Sequence, residues 1–248
     1  MTYNLTVSPD FAPDHISGWY FFNTWLQRSL DMAIHLELYD SFEAQREAMR
    51  AGTFDLIYAN PYDASMLVRE LGFQAVARPA SQADETVIAV NAASAYQTVE
   101  DLKPGCRIAT TDDPDVHTIG MIMLESADLD SGNTAIKQHS SYVVGAKSLL
   151  NDDADVGFFL KAAYDQLSAL IRSRMRVLVR SEIGVVHHSL LVGPRMAACI
   201  PAIQTALLTM QDNEKGRRVL DSMGVSSWEP MNSEQTEFMI DLIDTLID

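Results

Sequence analysis

The sequence is poor in cysteine and in basic residues, and both shortages exclude classes of protein. Of 248 residues only Cys106 and Cys199 are cysteines. Neither has a second Cys or a His at metal-ligand spacing, so no metal site is predicted. The 18 Lys and Arg residues stand against 34 Asp and Glu, which gives a formal net charge of −16. This charge opposes binding to nucleic acid or to an anionic membrane surface, and neither is expected as a partner.

Long apolar runs are also missing. No stretch approaches the roughly 20 apolar residues of a membrane-spanning helix, so membrane insertion is not expected. The N-terminus has neither the basic segment nor the apolar core of a signal peptide. The chain as written is therefore predicted to be cytoplasmic, and to be periplasmic if a signal peptide has been removed from it.

Familiar motifs of catalysis and cofactor binding are absent as well. The sequence has no Gly-x-Ser-x-Gly, no Walker loop, no His-Glu-x-x-His and no Gly-x-Gly-x-x-Gly. No cofactor and no catalytic residue are predicted, which favours binding over catalysis. An enzyme that uses a lone His or Asp stays open, and His117 and His188 are then the first candidates for general acid or base.

What the sequence does contain is an alternation of strand and helix patterns that occurs twice. A strand pattern at residues 34–39 is followed by a helical pattern at 42–49, and Phe54–Tyr58 is followed by a helix that opens at Pro61. The alternation begins again at Cys106–Thr110. Such an order predicts an α/β fold in which parallel sheets are covered by helices.

The same alternation predicts two lobes. Lobe 1 is expected to comprise residues 1–88 and 185–248, and lobe 2 residues 89–184. The strands Val177–Val179 and Ser189–Val192 are both interpreted as returning to the first lobe.

Several segments carry a family resemblance over nearly the full length of the chain. They are Met49–Pro61, Val90–Asn91 with Leu102–Gly105, and Ala154–Gly157. In these segments the chain resembles the phosphate/phosphite/phosphonate substrate-binding proteins of ABC transporters. The resemblance implies the two-lobed type II periplasmic-binding-protein fold, with a ligand cleft between the lobes.

The resemblance also implies a function. The chain is expected to bind a small polar ligand, an oxyanion or phosphonate-like compound, either for an ABC permease or as a cytosolic sensor derived from such a protein. The alternative is a cytosolic enzyme on the same fold, such as an enzyme of the futalosine route to menaquinone.

Candidate ligand-binding residues follow the strands, because ligands of open α/β sheets bind beyond the carboxyl ends of the strands. The predicted set is Asp10, Ser41, Phe42, Asn60, His117, Thr118, Lys161 and His188. Two of these residue types have plain structural alternatives: core packing for Phe42, and a solvated helix start for Lys161.

The resemblance places the family's oxyanion site at the segment Asp113–Gly120. The family has Asp-Pro followed by Ser-Thr-Ser-Gly, whereas this chain has His117 and Ile119 at two of the serine positions and retains Thr118. The implied donors are Thr118 and the backbone amides around His117. The acidic residues nearby repel a dianion, so the ligand is expected to be at most singly charged unless His117 is protonated.

A further departure concerns the family's carboxylate that receives a substrate amine. The position of that carboxylate corresponds to the neighbourhood of His188 in this chain, where a pH-sensitive hydrogen-bond donor takes its place. His187 is adjacent, but neighbouring residues on a strand point to opposite faces, so the two are not expected to share a metal ion.

Overall fold

The computed structural model describes residues 2–11 and 13–247. Its strands, in chain order, are β1 (Thr2–Val7), β2 (Ala33–Leu38), β3 (Leu56–Ala59), β4 (Gln74–Pro79), β5 (Thr86–Asn91), β6 (Arg107–Thr110), β7 (Ala135–Gln138), β8 (Val156–Leu160), β9 (Met175–Arg180), β10 (Ser189–Val192) and β11 (Trp228–Pro230). Its α-helices are α1 (Ile16–Leu30), α2 (Phe42–Arg50), α3 (Pro61–Arg69), α4 (Pro114–Leu124), α5 (Tyr142–Leu150), α6 (Lys161–Gln166), α7 (Ala169–Ser173), α8 (Ile200–Leu208), α9 (Glu214–Met223) and α10 (Ser233–Ile247). Within the described ranges, none of these helices combines the length and the apolar character needed to cross a bilayer.

The chain divides into two compact units. The first contains residues 2–82 and 187–245, and the second contains residues 83–186 together with 246–247. The lobe boundaries expected from the sequence were 88/89 and 184/185. The observed divisions fall at 82/83 and 186/187. The first lies earlier than expected because β5, from Thr86 onward, is hydrogen-bonded to β8 and β9 within the second unit.

The sheet of the first unit has the order β11-β4-β10-β3-β1-β2. Strand β1 pairs in parallel with β2 on one side and β3 on the other, so Leu5 lies beside Leu36 and Leu56. Strand β10 lies antiparallel between β3 and β4. All four residues of β3 are buried, as expected for a central strand with both faces covered.

Helices α1 and α9 approach each other closely against this sheet. A Cβ atom added at Gly18 of α1 would lie 2.2 Å from the backbone oxygen of Ser222 in α9. The absence of a side chain at Gly18 therefore permits the contact. The side chains of Phe22 and Leu26, further along α1, are fully buried, and each such burial contributes about 1.5–3 kcal/mol.

The sheet of the second unit has the order β7-β6-β8-β5-β9. Strand β6 pairs in parallel with β7 and β8, and β5 is antiparallel to both of its neighbours. One face packs with Val116 and Leu124 of α4, and the opposite face packs with Ala146 and Leu149 of α5. The unit therefore has helices on both sides of its sheet.

The prediction for Val177–Val179 is wrong. These residues lie in β9, which pairs with β5 in the sheet of the second unit, whereas Ser189–Val192 forms β10 in the first unit as predicted. The apolar pattern of both segments indicates a strand, but it does not encode which strand will be the partner.

Several helices begin directly after a strand with a polar capping residue. The side chains of Ser41, Asn60, Asp113 and Ser141 accept hydrogen bonds from the first turns of α2, α3, α4 and α5. Ser, Asn and Asp favour this position because their side chains satisfy amides that have no partner inside the helix. In α3 and α4 a proline follows the cap, where its missing N–H costs no hydrogen bond.

Candidate functional site

Polar side chains gather at the carboxyl ends of the parallel strands in each unit. In the first unit β1, β2 and β3 are parallel and lead into Ser8, Ser41 and Asn60. In the second unit β6 is parallel to β7 and β8, and its end leads into Thr111. These ends are where ligands bind in open α/β sheets, so each unit presents candidate residues there.

An aspartate and a histidine form a buried pair beyond the end of β1. The Nε2 atom of His188 lies 2.9 Å from Oδ2 of Asp10, and their side chains are 10% and 6% exposed. Burial by itself would raise the pKa of Asp10, but the charge and hydrogen bond of His188 and the hydrogen bond of Ser8 lower it below the usual value. The Tyr58 ring stacks on His188 with 5.2 Å between centroids. Asp10 is therefore held as an anion at neutral pH.

Asn60 connects the ends of β1 and β3. Its Oδ1 atom accepts a hydrogen bond from the Asp63 amide at 2.7 Å. Its Nδ2 atom donates to Asp63 Oδ2 at 3.0 Å and to Ser8 Oγ at 3.3 Å. Asn60 is fully buried, so its side-chain amide is engaged within the first unit and fixes Ser8 in place.

Arg46 is a cation near this edge that the sequence analysis missed. Its Nε atom lies 2.5 Å from Asp63 Oδ1 and its Nη2 atom 3.3 Å from Asp63 Oδ2. The guanidinium lies over the rings of Phe42 and Tyr62, at 5.3 and 4.8 Å from their centroids. The spacing of Phe42 and Arg46, one helical turn apart in α2, is the signal that could have revealed the contact.

Burial raises the pKa of Asp63, although the hydrogen bonds and charge of Arg46 and the hydrogen bond of Asn60 act in the opposite direction. The Asp63 residue is 1% exposed. Arg46 is therefore the charge that opposes protonation of this buried carboxylate.

Ser41 and Phe42 stand at the start of α2. Ser41 Oγ accepts a hydrogen bond from the Ala44 amide at 3.3 Å. Phe42 is 4% exposed, and its burial favours the core-packing interpretation. Ser41 and Phe42 stay candidate ligand-binding residues because they lie beside Arg46, whose side chain is 20% exposed.

In the second unit, Asp113 caps the first turn of α4. Its Oδ1 atom accepts hydrogen bonds from the amides of Asp115 at 3.1 Å and Val116 at 3.2 Å. Its Oδ2 atom accepts one from the Tyr142 hydroxyl at 2.8 Å. Asp113 and Asp115 are 3% and 2% exposed, so two carboxylates are buried at this turn.

His117 and Thr118 follow in the same helix, and both are half-buried. The His117 amide donates to the Asp113 carbonyl at 3.1 Å, so this one amide is engaged within α4. The Nδ1 atom of His117 is buried without a hydrogen-bond partner among the described residues. Burial lowers the pKa of His117, which makes the imidazole neutral at pH 7.

Lys161 is the first residue of α6. Its Nζ atom lies 2.9 Å from Asp165 Oδ2, one turn further along, and its side chain is 46% exposed. This placement is compatible with both interpretations of Lys161: a solvated residue at the start of a helix, and a cation that faces a ligand. Lys161 also lines a cavity of about 250 Å³ together with Glu85, Arg180 and Gly184.

His187 and His188 make different contacts, as their adjacency on an extended segment predicts. His187 Nδ1 lies 3.3 Å from Ser189 Oγ, whereas His188 contacts Asp10. No group of three or more His, Cys, Asp and Glu side chains arranged to hold a metal ion occurs in residues 2–11 and 13–247.

The predicted candidates thus fall into two sets. Asp10 and His188 are in direct contact in the first unit, and Asn60 is linked to them through Ser8. His117 and Thr118 share one helix of the second unit, where Lys161 opens a different helix. Sequence reasoning missed Arg46 and Asp63.

The chain matches a family model described as the periplasmic substrate-binding protein of a phosphonate ABC transporter, over residues 5–236. In sequence, no curated protein matches it.

Solved structures of binding proteins are similar over almost the whole chain. PhnD1 from Prochlorococcus marinus, in complex with methylphosphonate, has 12% identity and a TM-score of 0.84, covering 99% of this chain and 98% of that one. A binding protein component of an ABC phosphonate transporter from Pseudomonas aeruginosa has 15% identity and a TM-score of 0.78, covering 99% and 85%. The alkanesulfonate-binding protein SsuA from Xanthomonas axonopodis pv. citri, bound to MOPS, has 16% identity and a TM-score of 0.67, covering 99% and 93%. These similarities confirm the predicted two-lobed α/β fold of periplasmic binding proteins.

Proposed function

Because the chain belongs to the family of periplasmic substrate-binding proteins of phosphonate ABC transporters, we propose that it captures a small, phosphonate-like ligand for an ABC permease. The observation that carries the proposal is the family match over residues 5–236, which takes in both units. The polar side chains at the carboxyl ends of both sheets support it, because ligands bind at such ends.

The ligand class follows from the similar proteins. PhnD1 holds methylphosphonate, and SsuA is an alkanesulfonate-binding protein, so both names point to a small organic oxyanion. In this chain the first unit offers Arg46 and His188 as cationic or hydrogen-bonding partners for such a group. The proposed ligand-binding set is the one predicted from the sequence, with Arg46 added.

The place of action follows from the family as well. Its members are periplasmic, and on that ground we place this chain in the periplasm with a permease as its partner. The enzyme alternative gains no support, because the family model and the similar structures named above are those of binding proteins.

A ligand screen tests the proposal. We expect phosphate, phosphite, methylphosphonate, sulfate, small carboxylates and small amines to separate into ligands that raise the melting temperature and compounds that do not. A ligand at 100 times its Kd stabilises a protein by about 2.7 kcal/mol, which is a rise of roughly 5–10 °C for a chain of this size. Sodium chloride at matched ionic strength is the control. If none of these compounds raises the melting temperature above that control, the proposed function is wrong.

A further inference from the structure

The guanidinium of Arg46 lies between the starts of α2 and α3. Its Nε and Nη2 atoms contact the carboxylate of Asp63, which is in the first turn of α3. Side chains of a helix point towards its N-terminus, so the Arg46 side chain extends back towards Phe42, whose ring lies 5.3 Å from Cζ. Both helices start beyond the carboxyl ends of β2 and β3. The cation therefore lies at the edge of the sheet where ligands of open α/β sheets bind.

One corner of this guanidinium remains available to a ligand. Nε and Nη2 donate to Asp63, whereas Nη1 has no acceptor in the part of the chain that the structure describes. Nη1 is not among the fully buried polar atoms that lack a partner, and the side chain is 20% exposed, so this atom is open to solvent. A guanidinium carries more N–H groups, in one fixed plane, than a single carboxylate accepts. The remaining donors of Arg46 point away from Asp63.

The orientation of Arg46 is fixed by its neighbours. The ring of Tyr62 lies 4.8 Å from Cζ, on the same guanidinium that lies over Phe42. Asp63 is itself held, because Asn60 Nδ2 donates to its Oδ2 atom at 3.0 Å. A binding group that is already ordered loses little conformational entropy when a ligand arrives. Asp63 therefore orients the cation before binding.

The carboxylates near Arg46 each have a partner of their own. Asp63 is 1% exposed and lies against the guanidinium. The charge of Asp10 reaches Asp63 and raises its pKa, but Asp10 is paired with His188 at 2.9 Å. The Arg46–Asp63 pair therefore presents N–H donors to solvent and keeps its carboxylate buried.

We infer that Arg46 is the anion donor of the first unit and that Asp63 is its positioning residue: Nη1 donates to a charged oxygen of the ligand while the carboxylate holds the opposite edge. This inference rests on the proposed function and deepens it, because a guanidinium only donates and so selects a ligand with a deprotonated oxygen. A purely structural ion pair predicts something else. Any cation that keeps Asp63 paired would then leave ligand binding intact.

Arg46→Lys separates ligand binding from stability. A lysine ammonium is a compact charge that can stay with Asp63, but it cannot donate to Asp63 and to a ligand from opposite edges of one plane. We expect the variant to melt within about 5 °C of the wild type. Its affinity for methylphosphonate, from isothermal titration calorimetry at pH 7.5, should fall by at least about tenfold, as loss of one charge-assisted hydrogen bond allows.

Tyr62→Leu is a second variant that removes a different part of the arrangement. Tyr62 is partly exposed, so its replacement is compatible with folding. Loss of the ring over the guanidinium is expected to weaken methylphosphonate binding by about two- to fivefold, because the cation is then held less firmly. Should Arg46→Lys fail to fold, an unchanged affinity of Tyr62→Leu would contradict the inference in its place.

Arg195→Lys is the matched control. Nη1 of Arg195 lies 3.3 Å from Oδ1 of the buried Asp55, and its Cζ atom lies 5.8 Å from the Tyr3 ring. This arrangement resembles that of Arg46, but Asp55 directly precedes β3 and so lies at the amino end of that strand. Its effect on affinity is expected to stay below about twofold, as for a charge screened by distance and salt.

The outcomes separate the inference from the proposed function. Equal affinities of Arg46→Lys and the wild type for methylphosphonate would overturn the inference and leave the proposed function intact. The inference would also fall if the wild type bound only neutral compounds or cationic amines. If the wild type binds phosphate or sulfate instead of methylphosphonate, that anion is titrated against the same variants. If no compound of the screen binds, the proposed function is wrong and the inference falls with it.

Discussion

At the scale of single residues, the chain fixes its polar side chains by pairing them with one another. Asp10 is paired with His188, Asp63 with Arg46, and Asn60 with Ser8. Buried polar groups need such partners because an unpaired one is costly. Each pair therefore supports the stability of the first unit as well as its proposed binding surface.

The Asp10–His188 pair predicts a stability that depends on pH. The pKa of Asp10 is lowered in the folded chain, so the contribution of the pair is fully present above the unfolded pKa, about 3.9, and is lost as the pH falls through the folded pKa. We expect Asp10→Asn to lower the free energy of unfolding by about 2 kcal/mol at pH 7, and by less at pH 3. Urea denaturation at both pH values measures the difference.

Asp40→Asn is the control for that measurement, because Asp40 is exposed and its replacement is expected to change stability by less than about 0.5 kcal/mol. A loss for Asp10→Asn that stays the same at pH 3 and pH 7 would show that the ionised pair contributes nothing.

The Arg46–Asp63 pair predicts a larger effect. Arg46→Met would leave the Asp63 carboxylate buried without its counter-charge, at an expected loss of about 3–5 kcal/mol at neutral pH. Burial already raises the pKa of Asp63, and removal of Arg46 raises it further. The loss should therefore be largest at neutral pH and should shrink as the pH falls and Asp63 takes up a proton.

Guanidinium denaturation measures the free energy of unfolding of Arg46→Met and of a control variant, Arg218→Met. Arg218 forms an exposed pair with Glu214 one turn away, and such pairs contribute little. Equal losses for the two variants would refute the role given to Arg46.

At the scale of elements, close helix packing depends on one glycine. Gly18→Ala would place a Cβ 2.2 Å from the Ser222 carbonyl oxygen, so α1 and α9 would have to separate, at an expected cost of about 1–3 kcal/mol. Gly145→Ala in α5 meets its nearest atom at 4.0 Å and should stabilise the protein by roughly 0.5–1 kcal/mol through helix propensity. Thermal unfolding of both variants tests the opposite signs, and a destabilised Gly145→Ala with a neutral Gly18→Ala would contradict the packing argument.

The elements themselves were largely predictable from the sequence, because strand and helix patterns and their capping residues are local. Ser41 and Asn60, predicted at strand ends, lie at helix starts because short polar side chains favour that position. The pairing of β9 was not predictable, since alternation does not identify a partner strand. The ion pair of Arg46 also went unseen, because it depends on tertiary packing.

At the scale of the whole molecule, the two units differ in how the chain builds them. The sheet and the core clusters of the second unit all come from one continuous segment, residues 83–186. The first is assembled from two segments, and β10, from the later one, lies between β3 and β4 of the earlier one.

This difference predicts the behaviour of fragments. We expect the segment 83–186 to fold alone, with a cooperative urea transition and dispersed amide resonances, because all the strands of its sheet are present. The segment 1–82 should remain unfolded, since loss of β10 leaves the facing edges of β3 and β4 unpaired. Circular dichroism and NMR of both fragments test this, and a folded 1–82 fragment would contradict it.

The aromatic stack at His188 gives the protein a built-in optical reporter. The Trp19 ring lies 4.7 Å from Tyr58, which stacks on His188. The chain has three tryptophans, and Trp19, Trp25 and Trp228 all belong to the first unit. Intrinsic fluorescence excited at the indole band therefore senses protonation or ligand contact at His188 through changes in quenching. A binding event confined to α4 is expected to leave the tryptophan emission unchanged. A calorimetric signal with an emission change therefore assigns binding to the first unit, and a calorimetric signal without one assigns it to the second.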